Sequence, residues 1–244
     1  MKIEIDTEKQ TLNGNPLYSN ESFEIICDLY MKVGWSLRMP YTYSWLGFPI
    51  LQIPEDMARI QEVIFTLQPD VIVETGVAHG GSMIFYASLC KLIGHGRIVG
   101  VEKGLICREL VESHPLADYI TLIEGDSTAP DIVETIHKIC RGNRTLVILD
   151  SNHSKAHVAK ELEAYCDIVS IGSYIVATDG NMCDLSDVPR GTKDWKWNNP
   201  KEAAKEFLSN HPEFVFDPPT RIFNDSGLTS NITYWPLAWL RRIA

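Results

Sequence analysis

The amino-acid sequence predicts an α/β fold: a doubly wound, Rossmann-like sheet, mostly parallel with an antiparallel last strand, plus an N-terminal helical extension. Short apolar runs alternate with segments of helical spacing from residue 54 onward, a pattern typical of parallel strands covered on both faces. Acidic residues stand at the ends of four successive predicted strands, at the edge where doubly wound sheets bind ligands. The 244 residues suffice to bury the core of one such domain.

The chain is predicted to divide into an extension over residues 1–53 and a main domain over residues 54–244. The extension begins with weakly patterned polar residues, continues with apolar residues at helical spacing and ends in a run rich in aromatic residues. Proline is favoured in a first helical turn, so Pro54 is expected to begin a helix. The predicted bounds are 1–20 for a hairpin or arm, 21–33 for a helix, 39–53 for an aromatic loop and 54–67 for the next helix.

The main domain alternates strand and helix signals. The predicted parallel strands are residues 71–74, 97–102, 119–124, 145–150 and 173–178, and the helices between them are 82–93, 105–113, 131–140 and 154–165. A loop over 180–199 contains Trp195 and Trp197, and loops of that length are usually functional or disordered. After it come a helix over 200–209, with Asn199 as N-cap, and an antiparallel pair of strands over 214–216 and 232–237.

The first strand runs into a glycine turn that has the shape of a nucleotide-cofactor site. Ala78 stands where a dinucleotide site has its second glycine, which lets the backbone approach a pyrophosphate. Glu74 puts a carboxylate at the mouth of the turn, where it would repel phosphate but attract a cation. Both features favour S-adenosylmethionine, although a plain strand–turn–helix junction remains an alternative. The residues expected to bind this cofactor here are Glu74, Gly76, His79, Gly80 and Ser82.

Three further strand ends extend the same site. Glu102 lies 22 residues beyond Gly80, the spacing at which an acidic residue can hold ribose hydroxyls. Asp126 and Ser127 follow the third strand, where a carboxylate and its neighbouring backbone can bind an adenine edge. Asp150 ends the fourth strand and is expected beside the cofactor. Any one of these acidic residues could instead be an ordinary helix N-cap.

Asp150 also has the partners expected of a catalytic centre. Asp179 ends the adjacent strand, and two converging carboxylates suit a hard cation such as Mg²⁺, which would lower the pKa of a substrate hydroxyl. His153 lies three residues beyond Asp150 and is within reach to take the proton. The alternatives are that His153 caps the following helix and that Asp179 holds the turn at Gly180.

Composition limits the partners and the compartment. The net charge is −10 and the isoelectric point about 5.2, which argues against nucleic acid as a partner and against an anionic membrane surface. The six cysteines are scattered without a C-x-x-C pair, as suits a reducing cytoplasm. No apolar run reaches the length of a membrane span, and no signal-peptide core is seen near Met1. A homo-oligomer is left open.

Several stretches together resemble the cephalosporin hydroxylase / rhamnosyl O-methyltransferase family, S-adenosylmethionine-dependent class I methyltransferases. The matching stretches are residues 45–51, 74–82, 125–127, 150–158, 172–176 and 240–242. The resemblance implies a seven-stranded methyltransferase sheet and methyl transfer to a hydroxyl oxygen. It also implies a divalent metal at Asp150 and at an acidic pair ending the fifth strand. That pair is Thr178 and Asp179 here, so one carboxylate is missing and the Thr178 hydroxyl is the remaining candidate ligand.

The sequence thus predicts an O-methyltransferase that acts on a hydroxyl of a sugar, glycan or natural product, with Mg²⁺ or another divalent cation assisting. Asp150 and His153 are the expected catalytic residues; His153 stands where similar metal-dependent enzymes carry a lysine. The aromatic loop around Trp45, together with Trp195 and Trp197, is a candidate platform for a sugar ring, although these side chains could equally be core or interface residues. Two other functions remain open: a non-catalytic S-adenosylmethionine-binding protein and an NAD-dependent oxidoreductase.

Overall fold

The computed structural model describes residues 2–244. Its α-helices are α1 (Asn20–Ser36), α2 (Pro54–Leu67), α3 (Gly81–Ile93), α4 (Arg108–Glu112), α5 (Pro130–Cys140), α6 (Lys155–Tyr165) and α7 (Pro200–Asn210). The strands before the main sheet are β1 (Ile5–Asp6), β2 (Thr11–Leu12), β3 (Asn15–Pro16), β4 (Ser44–Trp45) and β5 (Phe48–Pro49). The strands of the main sheet are β6 (Val71–Thr75), β7 (Arg97–Glu102), β8 (Ile120–Glu124), β9 (Thr145–Leu149), β10 (Tyr174–Ala177), β11 (Phe214–Phe216) and β12 (Trp239–Arg242).

The main sheet has seven strands in the order β11-β12-β10-β9-β6-β7-β8. The strands from β6 to β10 are parallel, and β12 runs antiparallel to both of its neighbours. The order reverses between β6 and β9, because the chain first builds outward to β8 and then returns to the other side of β6. This is a doubly wound α/β sheet with an antiparallel last strand, as the sequence predicted, and the reversal leaves a crevice at the carboxyl ends of the strands.

Alternate side chains of the central strand enter two separate cores. Ile72 of β6 packs on the face that holds Ile84 of α3, whereas Val71 and Val73 pack on the face that holds Leu162 of α6. The exposed fraction of all five side chains is 0%. Burying one apolar side chain of this size contributes about 1.5–3 kcal/mol of transfer free energy. A strand buried on both faces needs apolar side chains on both, which explains the apolar run Val71–Val73.

The final strand lies further along the chain than the sequence predicted. Residues 232–237 were expected to form it, but the ladder begins at Trp239, and Leu240 pairs with Ile175 of β10. Two features keep the earlier segment out of the sheet: Pro236 has no N–H to donate, and Leu237 has a left-handed φ of 57°. Most other predicted bounds agree with the structure to within two residues, and α4 is shorter than its predicted span.

The extension packs on the main domain through its aromatic residues. Trp45, in the β4–β5 hairpin, packs edge-on against Phe85 of α3 with ring centroids 4.9 Å apart, and its indole N–H donates to Ser88 Oγ at 3.1 Å. Ser19 is the N-cap of helix α1, and its side chain accepts a hydrogen bond from the Ser22 N–H. The predicted boundary coincides with the start of α2 at Pro54, and the division into two units stays a prediction.

No helix within residues 2–244 is both long enough and apolar enough to cross a membrane. The six cysteines are all free thiols, five of them buried, where cysteine acts as a small apolar residue.

Candidate active site

A cavity of about 440 Å³ lies at the carboxyl ends of the parallel strands. Nine of the residues that the sequence singled out line it: Gly76, His79, Ser82, Glu102, Asp126, Ser127, Asp150, His153 and Asp179. Three others stand behind the wall: Glu74, Gly80 and Thr178. The four predicted strand ends therefore converge, since parallel strands present their carboxyl ends at one edge of the sheet.

The turn after β6 needs a glycine because it crosses the end of β9 at close range. Gly76 has a φ of +88°, and a Cβ built on it would lie 2.1 Å from the Asp150 carbonyl oxygen. Any side chain there would push the turn away from β9. Ala78, which replaces the second glycine of a dinucleotide motif, also has a left-handed φ, of 46°. A non-glycine residue in that region carries strain, typically of about 1 kcal/mol.

Glu74 is fully buried beneath the turn and does not face the cavity. Its carboxylate accepts hydrogen bonds from Ser82 Oγ at 2.6 Å and from the Tyr86 hydroxyl at 3.2 Å. Gln52 in turn donates to the Tyr86 hydroxyl at 3.3 Å. Burial, and after it the negative charge of Asp150, raise the pKa of Glu74 well above its ordinary value. Its role in cofactor binding stays a prediction, to be exerted through Ser82, which does line the cavity.

Glu102 braces the turn from the neighbouring strand. Its Oε2 accepts the backbone N–H groups of Val77 and Ala78 at 3.1 and 3.2 Å. Asp126, at the end of β8, pairs with Lys103 at 2.8 Å and accepts the Thr128 N–H at 2.9 Å. These bonds, the one from Lys103 first, hold the pKa of the Asp126 carboxyl below its ordinary value. Two carboxyl side chains thus line one side of the cavity.

A second polar network, to which the sequence analysis assigned no role, ties the end of β8 to the end of β9. Glu161 of α6 is fully buried, and its Oε1 accepts from Ser127 Oγ at 2.6 Å and from Ser151 Oγ at 2.7 Å. His157 Nε2 lies 3.3 Å from the same oxygen, and its hydrogen bond to Glu161 raises the pKa of His157. The signal in the sequence was the four-residue separation of His157 and Glu161, which places both on one side of a helix.

Asp150, His153 and Asp179 form a compact cluster at the other end of the cavity. One ligand atom from each lies within 4.8 Å of the others, and His153 Nε2 is 3.4 Å from Asp179 Oδ2. Burial first, and then the charge of Asp179, raise the pKa of Asp150 to about 7; burial also raises that of Asp179. Two carboxylates that repel each other in a desolvated place favour a cation between them.

Thr178 stands next to this cluster but is oriented away from the cavity. Its side chain is fully buried, and its hydroxyl is hydrogen-bonded to Asp150 Oδ1 and to the Leu149 carbonyl oxygen, the latter at 2.9 Å. In this orientation Thr178 holds the Asp150 carboxylate in place. Whether it also ligates a metal stays a prediction. The two carboxylates that face the cavity, Asp150 and Asp179, fit a divalent cation, and the His153 imidazole lies beside them.

Aromatic side chains form the wall nearest this cluster. Trp35 and Tyr41 come from the extension, Trp195 from the loop after β10, and Tyr234 from the segment before β12. Neither Trp45 nor Trp197 lines the cavity. Trp45 packs on Phe85 instead, and Trp197 is 62% exposed on the outside of its loop.

Comparison with known proteins identifies a matching family and several curated relatives with the same name. Residues 37–243 match the family model described as Rhamnosyl O-methyltransferase/CmcI. A rhamnosyl O-methyltransferase of Mycobacterium leprae is 30% identical over 152 residues, which cover 61% of this chain and 65% of that protein. One of Mycobacterium tuberculosis is 30% identical over 145 residues, 57% of each chain. The chain thus matches less than two thirds of the length of these curated relatives.

Two solved structures share the fold. CmcI with Mg and SAM superposes with a TM-score of 0.62 at 21% identity, covering 84% of this chain and 78% of that one. The O-methyltransferase TomG from Streptomyces achromogenes, in complex with SAM, superposes with a TM-score of 0.51 at 18% identity, covering 68% and 74%. At these identities the likeness shows the fold alone.

Proposed function

The chain belongs to the rhamnosyl O-methyltransferase/CmcI family, and from that premise we propose that it transfers a methyl group from S-adenosylmethionine to a hydroxyl of a sugar, glycan or natural product. The observation that carries the proposal is the single cavity that joins two chemically different ends. One end offers the carboxylates of Glu102 and Asp126 to a nucleoside, and the other offers Asp150, His153 and Asp179 to an acceptor hydroxyl.

The cofactor is expected to lie along the turn after β6. Glu102 would accept hydrogen bonds from the ribose hydroxyls, and Asp126 with Ser127 would bind the adenine edge. The absence of a side chain at Gly76 leaves room for the methionine portion to pass close to the backbone of Asp150. Its sulfonium would then lie beside carboxylates, which stabilise a positive charge. S-adenosylmethionine supplies the methyl group on that sulfonium.

The acceptor hydroxyl is expected between His153 and the two carboxylates. His153 Nε2 faces this space, and with its proton on Nδ1 the ring would take the hydroxyl proton at Nε2 as the methyl group transfers in line. Asp179, at 3.4 Å, then stabilises the imidazolium. A divalent cation such as Mg²⁺, held by Asp150 and Asp179, would supply a Lewis acid that lowers the pKa of the hydroxyl. Positioning and exclusion of water by the surrounding wall supply much of the remaining rate gain.

The charge of the molecule supports a neutral small-molecule or glycan acceptor rather than a nucleic acid, because a net charge of −10 repels a polyanion. Free thiols throughout the described chain support a reducing compartment, the cytoplasm. Both assignments are parts of the proposal.

Calorimetry with S-adenosylmethionine and with NAD⁺, followed by a search for acceptor-dependent release of S-adenosylhomocysteine, tests the function. Binding of S-adenosylmethionine alone, with turnover on a glycoside acceptor, is the expected result. Binding of NAD⁺ in its place would indicate an oxidoreductase. Tight binding of S-adenosylmethionine without turnover on any hydroxyl acceptor would indicate a non-catalytic binding protein, the alternative that the missing carboxylate at Thr178 keeps open.

A further inference from the structure

Helix α1, in the extension, contributes one residue to the lining of the cavity. Trp35 lies at the last turn of that helix, outside the residues 37–243 that match the family, and it lines the cavity. Its ring packs edge-on against Trp195, with centroids 5.7 Å apart, and against Tyr234, at 6.2 Å. The three rings, named here the aromatic corner, come from three separate parts of the chain.

Arg190 contacts Trp35, one ring of the aromatic corner, on the side away from the cavity. Its guanidinium lies 4.9 Å from the centre of the Trp35 ring and 5.5 Å from that of Tyr41, and it donates to the Trp35 carbonyl oxygen at 2.8 Å. The Trp35 indole N–H reaches back toward the Arg190 carbonyl oxygen at 3.4 Å. Cation–π contacts of this kind are worth about 0.5–2 kcal/mol each. Arg190 thus ties the loop after β10 to helix α1 and does not line the cavity.

The aromatic corner lies on the side of the cavity that holds Asp150, His153 and Asp179. Asp179 begins the loop that carries Trp195, and its carbonyl oxygen accepts the N–H of Met182, which also lines the cavity. Among the charges that act on the Tyr234 hydroxyl, that of Asp179 is the strongest. This hydroxyl is buried and has no hydrogen-bond partner among residues 2–244. Buried polar groups are normally satisfied, so an unpaired one marks a place that a ligand hydroxyl can complete.

The charges of the wall decide what kind of acceptor fits. Lys103 is the one lysine or arginine among the described residues that line the cavity, and it pairs with Asp126 at the cofactor end. An anionic acceptor would therefore find no lysine or arginine side chain to pair with at the end of the cavity that holds Asp150 and Asp179. The rings of Trp35 and Trp195 meet at 66°, so they form a corner and not a parallel slot. A corner offers ring faces to the C–H groups of a puckered ring, whereas a slot suits a flat aromatic one.

We propose that Trp35, Trp195 and Tyr234 form the acceptor subsite, that it receives a neutral pyranoside ring, and that helix α1 is thereby a working part of the site, held in place by Arg190. The inference rests on the proposed function and adds the residues that determine acceptor binding. Removal of one of these rings should weaken acceptor binding and leave the affinity for S-adenosylmethionine unchanged, because Glu102 and Asp126 lie at the other end of the cavity.

The test compares Trp35→Leu and Arg190→Met with Trp197→Leu, a matched control from the same loop whose ring lies outside the cavity. The probe is methyl α-L-rhamnopyranoside, with methyl β-D-glucopyranoside and its 6-carboxylate as a pair that differs at C6 alone, a neutral CH₂OH in one and an anionic carboxylate in the other. We expect Trp35→Leu and Arg190→Met each to raise the KM for the neutral probe about tenfold, with the Kd for S-adenosylmethionine unchanged. Trp35→Phe, which keeps an aromatic face, should fall between wild type and Trp35→Leu. The carboxylate probe should bind far more weakly than its neutral partner.

Each contrary result has a distinct meaning. Failure of the wild-type protein to bind S-adenosylmethionine would overturn the proposed function and the subsite with it. Cofactor binding without binding of either neutral pyranoside, or preference for the 6-carboxylate, would overturn the acceptor class alone. Turnover with a KM that is equal in wild type, Trp35→Leu and Trp197→Leu would overturn the role of α1. A variant that loses cofactor affinity as well has lost its fold, and Trp35→Phe then decides: an unchanged KM in that variant overturns the role of Trp35, and a raised one supports it.

Discussion

At the scale of single residues, the side chains of the cluster formed by Asp150, His153 and Asp179 are held in different ways. The Thr178 hydroxyl holds the Asp150 carboxylate, whereas His153 Nε2 lies 3.4 Å from Asp179 Oδ2. Asp179 also has a left-handed φ of 57°, a conformation that aspartate tolerates better than most residues. Strained backbone at a site of this kind is often maintained for function.

Removing the proposed base should slow turnover without releasing the cofactor. His153→Ala is expected to lower kcat by about 10²–10⁴-fold, the usual effect of losing a general base, while calorimetry gives an unchanged Kd for S-adenosylmethionine. Full activity in this variant would make His153 a structural residue at the start of α6.

The cation should depend on both carboxylates. We expect Asp179→Ala and exhaustive chelation each to abolish activity, and added Mg²⁺ or Mn²⁺ to restore it only in the wild-type protein. Thr178→Val removes the hydroxyl that holds the Asp150 carboxylate, so it should weaken Mn²⁺ binding in an electron paramagnetic resonance titration. Full activity after chelation would contradict the role of the metal.

Glu102 should contribute to cofactor binding by its charge and its acceptor oxygens. Glu102→Ala is expected to weaken binding of S-adenosylmethionine by about 1–3 kcal/mol, because the ribose hydroxyls lose their acceptor and the N–H groups of the turn lose theirs. Gly76→Val should abolish binding, since its side chain would collide with Asp150. An unchanged Kd in both variants would contradict the cofactor assignment.

At the scale of elements, helix α2 anchors the segment that carries Tyr234. Asp56, in the first turn of α2, is 4% exposed and accepts the Tyr234 N–H at 2.8 Å; it is also hydrogen-bonded to Thr233. Burial raises the pKa of Asp56 to about 7, and these hydrogen bonds only partly oppose it. The position of one wall of the cavity therefore depends on a carboxyl that titrates near neutrality.

Stability should fall as Asp56 loses its proton. A carboxyl whose pKa is higher in the folded than in the unfolded chain stabilises the fold below its unfolded pKa, and this contribution disappears as pH rises through the folded pKa. Between about pH 4 and about pH 7, the free energy of unfolding should fall by about 1.4 kcal/mol per pH unit more in wild type than in Asp56→Asn. Thermal melts of both proteins across this range measure the difference; parallel curves would contradict it.

The loop after β10 contains two short 3₁₀ helices, Gly180–Leu185 and Lys193–Lys196, where the sequence suggested only a long loop. Closure over an acceptor should exclude water and still allow product release. Because Arg190 is held by Trp35, trypsin should cut the free protein first at exposed Lys193 or Lys196, and cofactor plus acceptor should slow this cleavage. Equal rates with and without ligands would rule out gating.

At the scale of the whole molecule, the features that could be predicted from the sequence are those that leave a pattern in consecutive residues. Buried parallel strands need apolar runs, and their shared edge brings acidic strand ends together, so the sheet and the residues Glu102, Asp126 and Asp150 were accessible to reasoning. Contacts between distant parts of the chain left no local signal: Trp35 meets Trp195 only after folding. The prediction of the last strand was wrong because Tyr234 and Trp235 are residue types favoured in strands. In the structure the Tyr234 N–H is bonded to Asp56 of α2 and not to a neighbouring strand.

Helix α1 lies outside residues 37–243, which match the family model, yet its Trp35 side chain lines the same cavity as Asp150, His153 and Asp179. Two proteins with equally similar sheets can therefore differ in what they modify through a few residues that no comparison of their shared domain would register. An exchange of residues 2–36 between such proteins offers a route to new acceptor preference that leaves the chemistry of methyl transfer where it is.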